Sequence, residues 1–210
     1  MTFSLDLPDG PMAEAALSAV RSSESLSTAN HSVRCFFFAQ LLAAREGCLG
    51  DAAYDRDLLF AATVMHDLGA GDLAHGKDRF EVEGADLAAA VLLEHGVPDR
   101  DIDRVWEAIA LHTSAGIAER RGLLAYLTRR GVGIDFGQGA EVVTGWEKKI
   151  HAAYPRLAMA RSLADEIVKH AARSPAAAPR YSLGAGLLLE RQADGITSIE
   201  RGAASSVWGE

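Results

Sequence analysis

Cysteine is nearly missing from this sequence: Cys35 and Cys48 are the only two, and neither sits in a CxxC pair. That excludes a disulfide framework and a thiolate metal site, and it fits a reducing compartment. No apolar stretch approaches the roughly 18 residues that a membrane span needs. The start, MTFSLDLPDGPMAEAALSAV, lacks the basic residues followed by an apolar core that mark a signal peptide. Basic residues are outnumbered, 21 against 29 acidic, for a formal charge of -8. The short Lys148-Lys149 pair is the nearest thing to a basic patch, so a nucleic-acid partner is not expected. No internal repeat is visible, and no long segment alternates with period two. A cytoplasmic protein with a small-molecule substrate and no membrane partner is the resulting expectation. Homo-oligomerisation is left open.

What is present is helical periodicity almost everywhere. At 210 residues, 49% hydrophobic and 24% charged, the chain is long enough to bury one medium core without staples. The spacing predicts helices over 11–23, 28–46, 56–67, 82–95, 100–113, 118–130, 140–152 and 156–173. Gly47, Gly69, Gly96, Gly131, Gly133, Pro98 and Pro155 punctuate the runs. Ser27 or Thr28 is the expected cap of the second helix, and Asp99 that of the helix after Pro98. The segment RSPAAAP, from Arg173 to Pro179, reads as a linker or surface turn. The expected organisation is all-α: an N-terminal helical segment 1–26, one helical bundle 27–181, and a short C-terminal extension 182–210. In that extension LLLER makes one more helical piece and the remainder is partly ordered.

The chemistry concentrates in a few inward positions. Residues Leu58 to Met65 are apolar on nearly every face and end in His66-Asp67, then Leu68-Gly69. A buried Asp at that point needs a positive partner, and the nearest basic side chains, Arg56 and Lys77, lie about ten residues away along the chain. A metal ion is the natural partner. His31 shares a helical stripe with Cys35, Phe38 and Leu42, and His112 one with Val105 and Ile109. Asp135 lies in the glycine-rich run Gly131-Val-Gly-Ile-Asp135-Phe-Gly137, read as a turn. Singly, an inward His is more often a hydrogen-bonded core residue. Jointly, three histidines and two aspartates directed at one interior argue for a shared task. Imidazole with carboxylate suits zinc first, with Fe2+ or Mn2+ as alternatives.

Four segments in this order resemble the HD-domain superfamily of metal-dependent hydrolases, and within it the cyanamide hydratase-like branch. They are Asn30-His31-Ser-Val-Arg34 with Phe36 to Phe38, and Met65-His66-Asp67-Leu-Gly69 with Arg79-Phe80-Glu-Val-Glu83-Gly84-Ala-Asp86. The others are Trp106 to His112-Thr-Ser114 and Gly131 to Asp135. The resemblance runs from about Ser27 to Tyr181. It implies one divalent ion on His31, His66, Asp67 and Asp135, and hydration of cyanamide or a related nitrile to urea or an amide. Branches with two metals carry a His four residues before the glycine, where this chain has Phe80 before Gly84. Nucleotidase-type members carry an acid just after the HD pair, and others a Lys, where this chain has Leu68-Gly69-Ala70.

On that reading the ion activates water, His112 is an outer proton donor or orienter, and Asp67 doubles as a proton shuttle. Arg34 and Arg79 are candidate substrate-binding residues, with anchoring of helices through carboxylates as the competing role. Phe36, Phe37 and Trp106 are read as core rather than pocket. Two rival functions remain. One is a phosphohydrolase using Arg34, Arg79 and Lys77 against phosphate. The other is a non-catalytic ligand-binding HD module.

Overall fold

The computed structural model describes residues 4–209, and among these every regular element is a helix. Helix starts follow local chemistry. Gly10, at φ 101°, turns the chain into Pro11, which opens α1 (Pro11–Ser23) with its φ already helical. α2 (Leu26–Arg45) is capped by Ser25, whose side chain accepts from the Thr28 N–H. The expected caps Ser27 and Thr28 therefore lie inside the helix. α3 (Arg56–Val64) is capped by Asp55, which accepts from the Asp57 and Leu58 N–H groups. It stops before His66-Asp67 rather than carrying them. α4 (Phe80–Glu94) is followed by α5 (Asp99–Leu111). Asp99 is the first helical residue rather than the cap, a favourable place for an acid beside the helix dipole.

α6 (Leu123–Asp135), α7 (Glu147–Ala153) and α8 (Met159–Ala171) follow. The helix expected over 118–130 is displaced. Residues 118–120 form only a 3₁₀ turn, Gly122 at φ 97° interrupts, and α6 then runs on through Gly131 and Gly133. The supposed glycine-rich turn is helix, and Asp135 is its last residue. The reason lies in packing: a Cβ on Gly131 would sit 2.5 Å from the Cys35 carbonyl oxygen of α2 and 3.0 Å from the Ala39 Cβ. Glycine is there for close approach between helices, not for a stop. The run expected over 140–152 also divides, into a 3₁₀ turn at Ala140–Val143 and α7, with Gly145 at φ 91° between them.

α2 is the central element and packs on α3, α6 and α8. Its Phe36, Phe37 and Phe38 are fully buried, each side chain contributing roughly 1.5–3 kcal/mol of burial. A second, smaller core joins Ala70, Phe80, Met159, Leu163 and Ile167 to Leu187. Leu187 belongs to the extension, which holds two helices, α9 (Leu183–Asp194) and α10 (Ser198–Ala204). Ser182 caps the first, and Thr197 with Glu200 forms a capping box on the second. Both helices pack on α8, so residues 182–204 are built into the molecule. No helix among the described residues is long and apolar enough to cross a membrane.

Candidate metal centre

The close crossing of α2 and α6 sets Asp135 against His31, since each lies one turn from the contact between Gly131 and Cys35. His31 Nδ1 lies 2.6 Å from Asp135 Oδ2. His66 and Asp67 sit in the turn after α3, where His66 Nδ1 lies 2.7 Å from the Thr63 carbonyl oxygen. That turn is pressed onto α4 through Gly69, where a Cβ would lie 2.0 Å from the Phe80 carbonyl oxygen. His112 caps α5, with Nδ1 2.7 Å from the Ile109 carbonyl oxygen.

These three contacts fix three tautomers. A carbonyl or a carboxylate only accepts, so each Nδ1 carries the proton and each neutral ring turns a bare Nε2 lone pair inward. All three lone pairs face Asp67. Its Oδ2 is 3.0 Å from His66 Nε2 and 3.6 Å from His31 Nε2, and its Oδ1 is 3.5 Å from His112 Nε2. His66 Nε2 and Asp67 Oδ2 are buried with no hydrogen-bond partner. Acceptors that converge in a dry interior repel one another unless a cation lies between them. His66, Asp67 and His112 offer ligand atoms that all lie within 4.8 Å of one another, as do His31, Cys35 and His66. Ligands about 2.0–2.2 Å from an ion need only modest closure from that spacing. The residues fit a divalent metal.

Electrostatics agree. Burial works against an ionised Asp67, yet His66 and His112 hold its carboxyl well below the ordinary range. Burial keeps His31 below its ordinary value despite the Asp135 hydrogen bond, leaving its ring neutral as a ligand requires. Burial also opposes charging His66, but the Asp67 carboxylate more than offsets it and raises that pKa. A proton thus competes for the place a metal would take.

The sequence-derived residues are distributed unevenly around this point. His31, His66, Asp67 and His112 come together. Asp135 approaches through His31 instead: Arg34 Nε donates to its Oδ1 at 2.7 Å, Arg34 Nη2 to its Oδ2 at 2.7 Å, and Arg156 Nη1 to its Oδ1 at 3.3 Å. Carboxylate–histidine–metal arrangements place an acid in this position to orient the ring. Arg34 is fully buried and also donates to the Tyr154 and Pro155 carbonyls. Arg79 clamps Glu81, which accepts in turn from the Thr113 hydroxyl beside His112. Neither arginine lines the adjoining cavity, and neither does Lys77. Cys35, which the sequence reading placed on the His31 stripe and excluded as a thiolate ligand, has its Sγ 3.6 Å from His31 Nδ1. Burial pushes its thiol well above the ordinary range.

A cavity of about 310 Å³ opens from the centre. Its floor is His31, His66, Asp67 and His112, and its walls are Phe80, Val132, Phe136, Leu163 and Ile167. Leu183, Ser198, Ile199 and Gly202 of the extension cover it, Arg129 and Gln138 add polar groups, and Thr113 completes the lining. Phe36, Phe37 and Trp106 do not line it; Trp106 lies at the surface with its indole N–H donated to Asp86. The part that the extension and Arg129 take in lining the cavity was missed from sequence. The Thr197-Ser-Ile-Glu200 box was a usable signal for α10. Arg129 had none until the register of α6 was known.

An all-helical bundle thus brings a buried histidine–aspartate cluster able to hold a metal ion to its helix crossings. The chain matches the HD domain family over residues 28–173 and belongs to that family, whose members are generally metal-dependent hydrolases. No curated protein matches the sequence significantly.

Proposed function

We propose that this protein uses one divalent ion to add water to a small nitrogen-containing compound, with hydration of cyanamide or a related nitrile as the first reaction to test. The observation that supports metal dependence is the convergence of three Nε2 lone pairs on the Asp67 carboxylate. The choice of a carbon–nitrogen substrate rests on the resemblance of the four sequence segments to the hydratase-like branch. The residues that would hold the ion are His31, His66, His112 and Asp67. Asp135, which the resemblance makes a ligand, would act here through His31. When bound, zinc or a similar ion supplies Lewis acidity and a water acidic enough to ionise near neutrality.

The chain does the rest. Phe80 and Phe136 pack edge-on against His112 and His31, fixing the rings and keeping bulk water from the floor of the cavity. With each Nδ1 proton committed to a fixed acceptor and each Nε2 turned to the ion, the floor's remaining proton-accepting atom would be a carboxylate oxygen of Asp67. Thr113, its hydroxyl donated to Glu81, also lines the cavity.

Phosphomonoester hydrolysis is the second reading, and Arg129 in the cavity wall is the observation that favours it. The test is a chelator-stripped and metal-reloaded preparation assayed for urea from cyanamide, amide from small nitriles, and phosphate from phosphomonoesters. Chelator-sensitive urea or amide formation supports the proposal. Chelator-sensitive phosphate release with no urea or amide transfers it to the second reading.

A further inference from the structure

Besides the histidine–aspartate floor, the cavity lining carries a second pair of polar side chains, Arg129 and Gln138. Arg129 lies on α6 three residues before Val132 and seven before Phe136, so it shares their face and looks into the same cavity. Its side chain is only 16% exposed, and its nearest carboxylate, Glu119 Oε1, is 4.0 Å from Nε. The other Glu119 oxygen already accepts from the Gly116 N–H at 2.6 Å. Arg129 Nε is buried with no hydrogen-bond partner. A guanidinium offers five N–H donors in a planar fork, and donors left unmet away from water are costly.

Gln138 brings a second polar head to the same place. A Cβ on Gly133 would sit 3.0 Å from Gln138 Oε1 and 3.4 Å from Arg129 Nη1. The missing side chain at Gly133 is what lets both groups approach. Arg129 precedes Asp135, the residue that holds His31, by six positions, or about 9 Å along a helix. Among the described residues lining the cavity Arg129 is the only Lys or Arg and Asp67 the only carboxylate. With a divalent ion on Asp67, no negative charge in the cavity is left to answer the guanidinium.

We infer that Arg129, assisted by Gln138, is the anion-recognising end of the substrate cavity, and that the substrate has an apolar body bearing a carboxylate or phosphate group away from the bond that water attacks. This rests on the cavity being the substrate site. Cyanamide is then a minimal substrate that fills only the metal end.

The test is calorimetric binding to the full-length, metal-loaded protein of three matched probes: hexanoate, the non-hydrolysable hexylphosphonate and the neutral hexanamide. An anion should bind about tenfold to a hundredfold more tightly than the amide, the worth of charge-assisted hydrogen bonds. Arg129→Gln should abolish that preference with metal content unchanged, and Arg129→Lys should restore part of it. If Arg129→Gln does not fold, Gln138→Leu and Arg129→Lys must each reduce the preference. The anion that binds tighter, carboxylate or phosphate, identifies the group. Equal affinity for acids and amide overturns the inference. So does a preference that survives Arg129→Gln and vanishes when the metal is stripped, because the anion would then sit on the ion. Binding is read without turnover, so either result leaves the test of hydrolysis separate.

Discussion

Asp135→Asn probes the support beneath the metal centre. Asp135 is fully buried and accepts from Arg34 Nε and Nη2 at 2.7 Å, from His31 Nδ1 at 2.6 Å, and from Arg156 Nη1 at 3.3 Å. Asparagine keeps the shape, removes the charge, and turns an N–H₂ toward groups that are themselves donors. Arg34 is then buried without its counter-ion, which costs roughly 3–5 kcal/mol. For a chain of this size roughly 2–4 °C of melting temperature accompanies each kcal/mol, so a fall of about 6–20 °C is expected. His31 also loses the acceptor that fixes its tautomer, and metal affinity should fall about 10–100-fold. Melting of metal-stripped protein reads the first effect, and competition with a chromophoric chelator reads the second. Burial opposes the charged form, yet Arg34 and its neighbours hold the Asp135 carboxyl well below the ordinary range. Its stabilisation is therefore present above that range and lost as pH falls below it, so parent and variant should converge in acid. Unchanged melting of the stripped variant, with metal binding abolished outright, would refute this reasoning and make Asp135 a direct ligand.

Three further outcomes are expected. His112→Ala should lower metal affinity, read by elemental analysis after dialysis. Retained metal with turnover reduced by about 10²–10⁴-fold would return His112 to the role of proton donor. Gly69→Ala should destabilise by the upper end of the roughly 1–3 kcal/mol that overpacking costs, or more, because its Cβ would meet backbone, Phe80 O at 2.0 Å and Gly84 N at 2.5 Å; chemical denaturation measures it. Glu24→Gln should raise the melting temperature near neutral pH. Burial, with the charges of Asp67 and Glu166, lifts the Glu24 pKa well above the ordinary value. A raised carboxyl favours the fold below its unfolded pKa and loses that contribution as pH rises through the folded one, so the gain should vanish near about pH 4. A gain independent of pH would contradict it.

His66-Asp67 was legible because a helix apolar on every face left its terminal acid without any other partner. His31 and His112 were legible from helical stripes. The placement of Asp135 was not, because Gly131 and Gly133 carry two meanings. As punctuation they end a helix; as contact residues they let α6 lie on α2, and only the tertiary structure distinguishes the two. The same misreading shifted α6, and with it hid Arg129, whose charge looks like any solvated helical surface until its register with Val132 and Phe136 is known. The extension was underread for a different reason. α9 and α10 are short and carry the helix-weakening glycines Gly184, Gly186 and Gly202, so their order comes from Leu187 and Ala203 docking on the rest of the molecule.

Elemental analysis of protein purified without added metal tests the central claim most directly, run beside Asp67→Ala and beside a chelator-treated sample. The account predicts about one divalent ion per chain, its loss in Asp67→Ala, and loss of hydrolysis with the ion that returns on reloading. Hydrolysis that persists in metal-free protein, full metal content in Asp67→Ala, or a reproducible stoichiometry near two would contradict it.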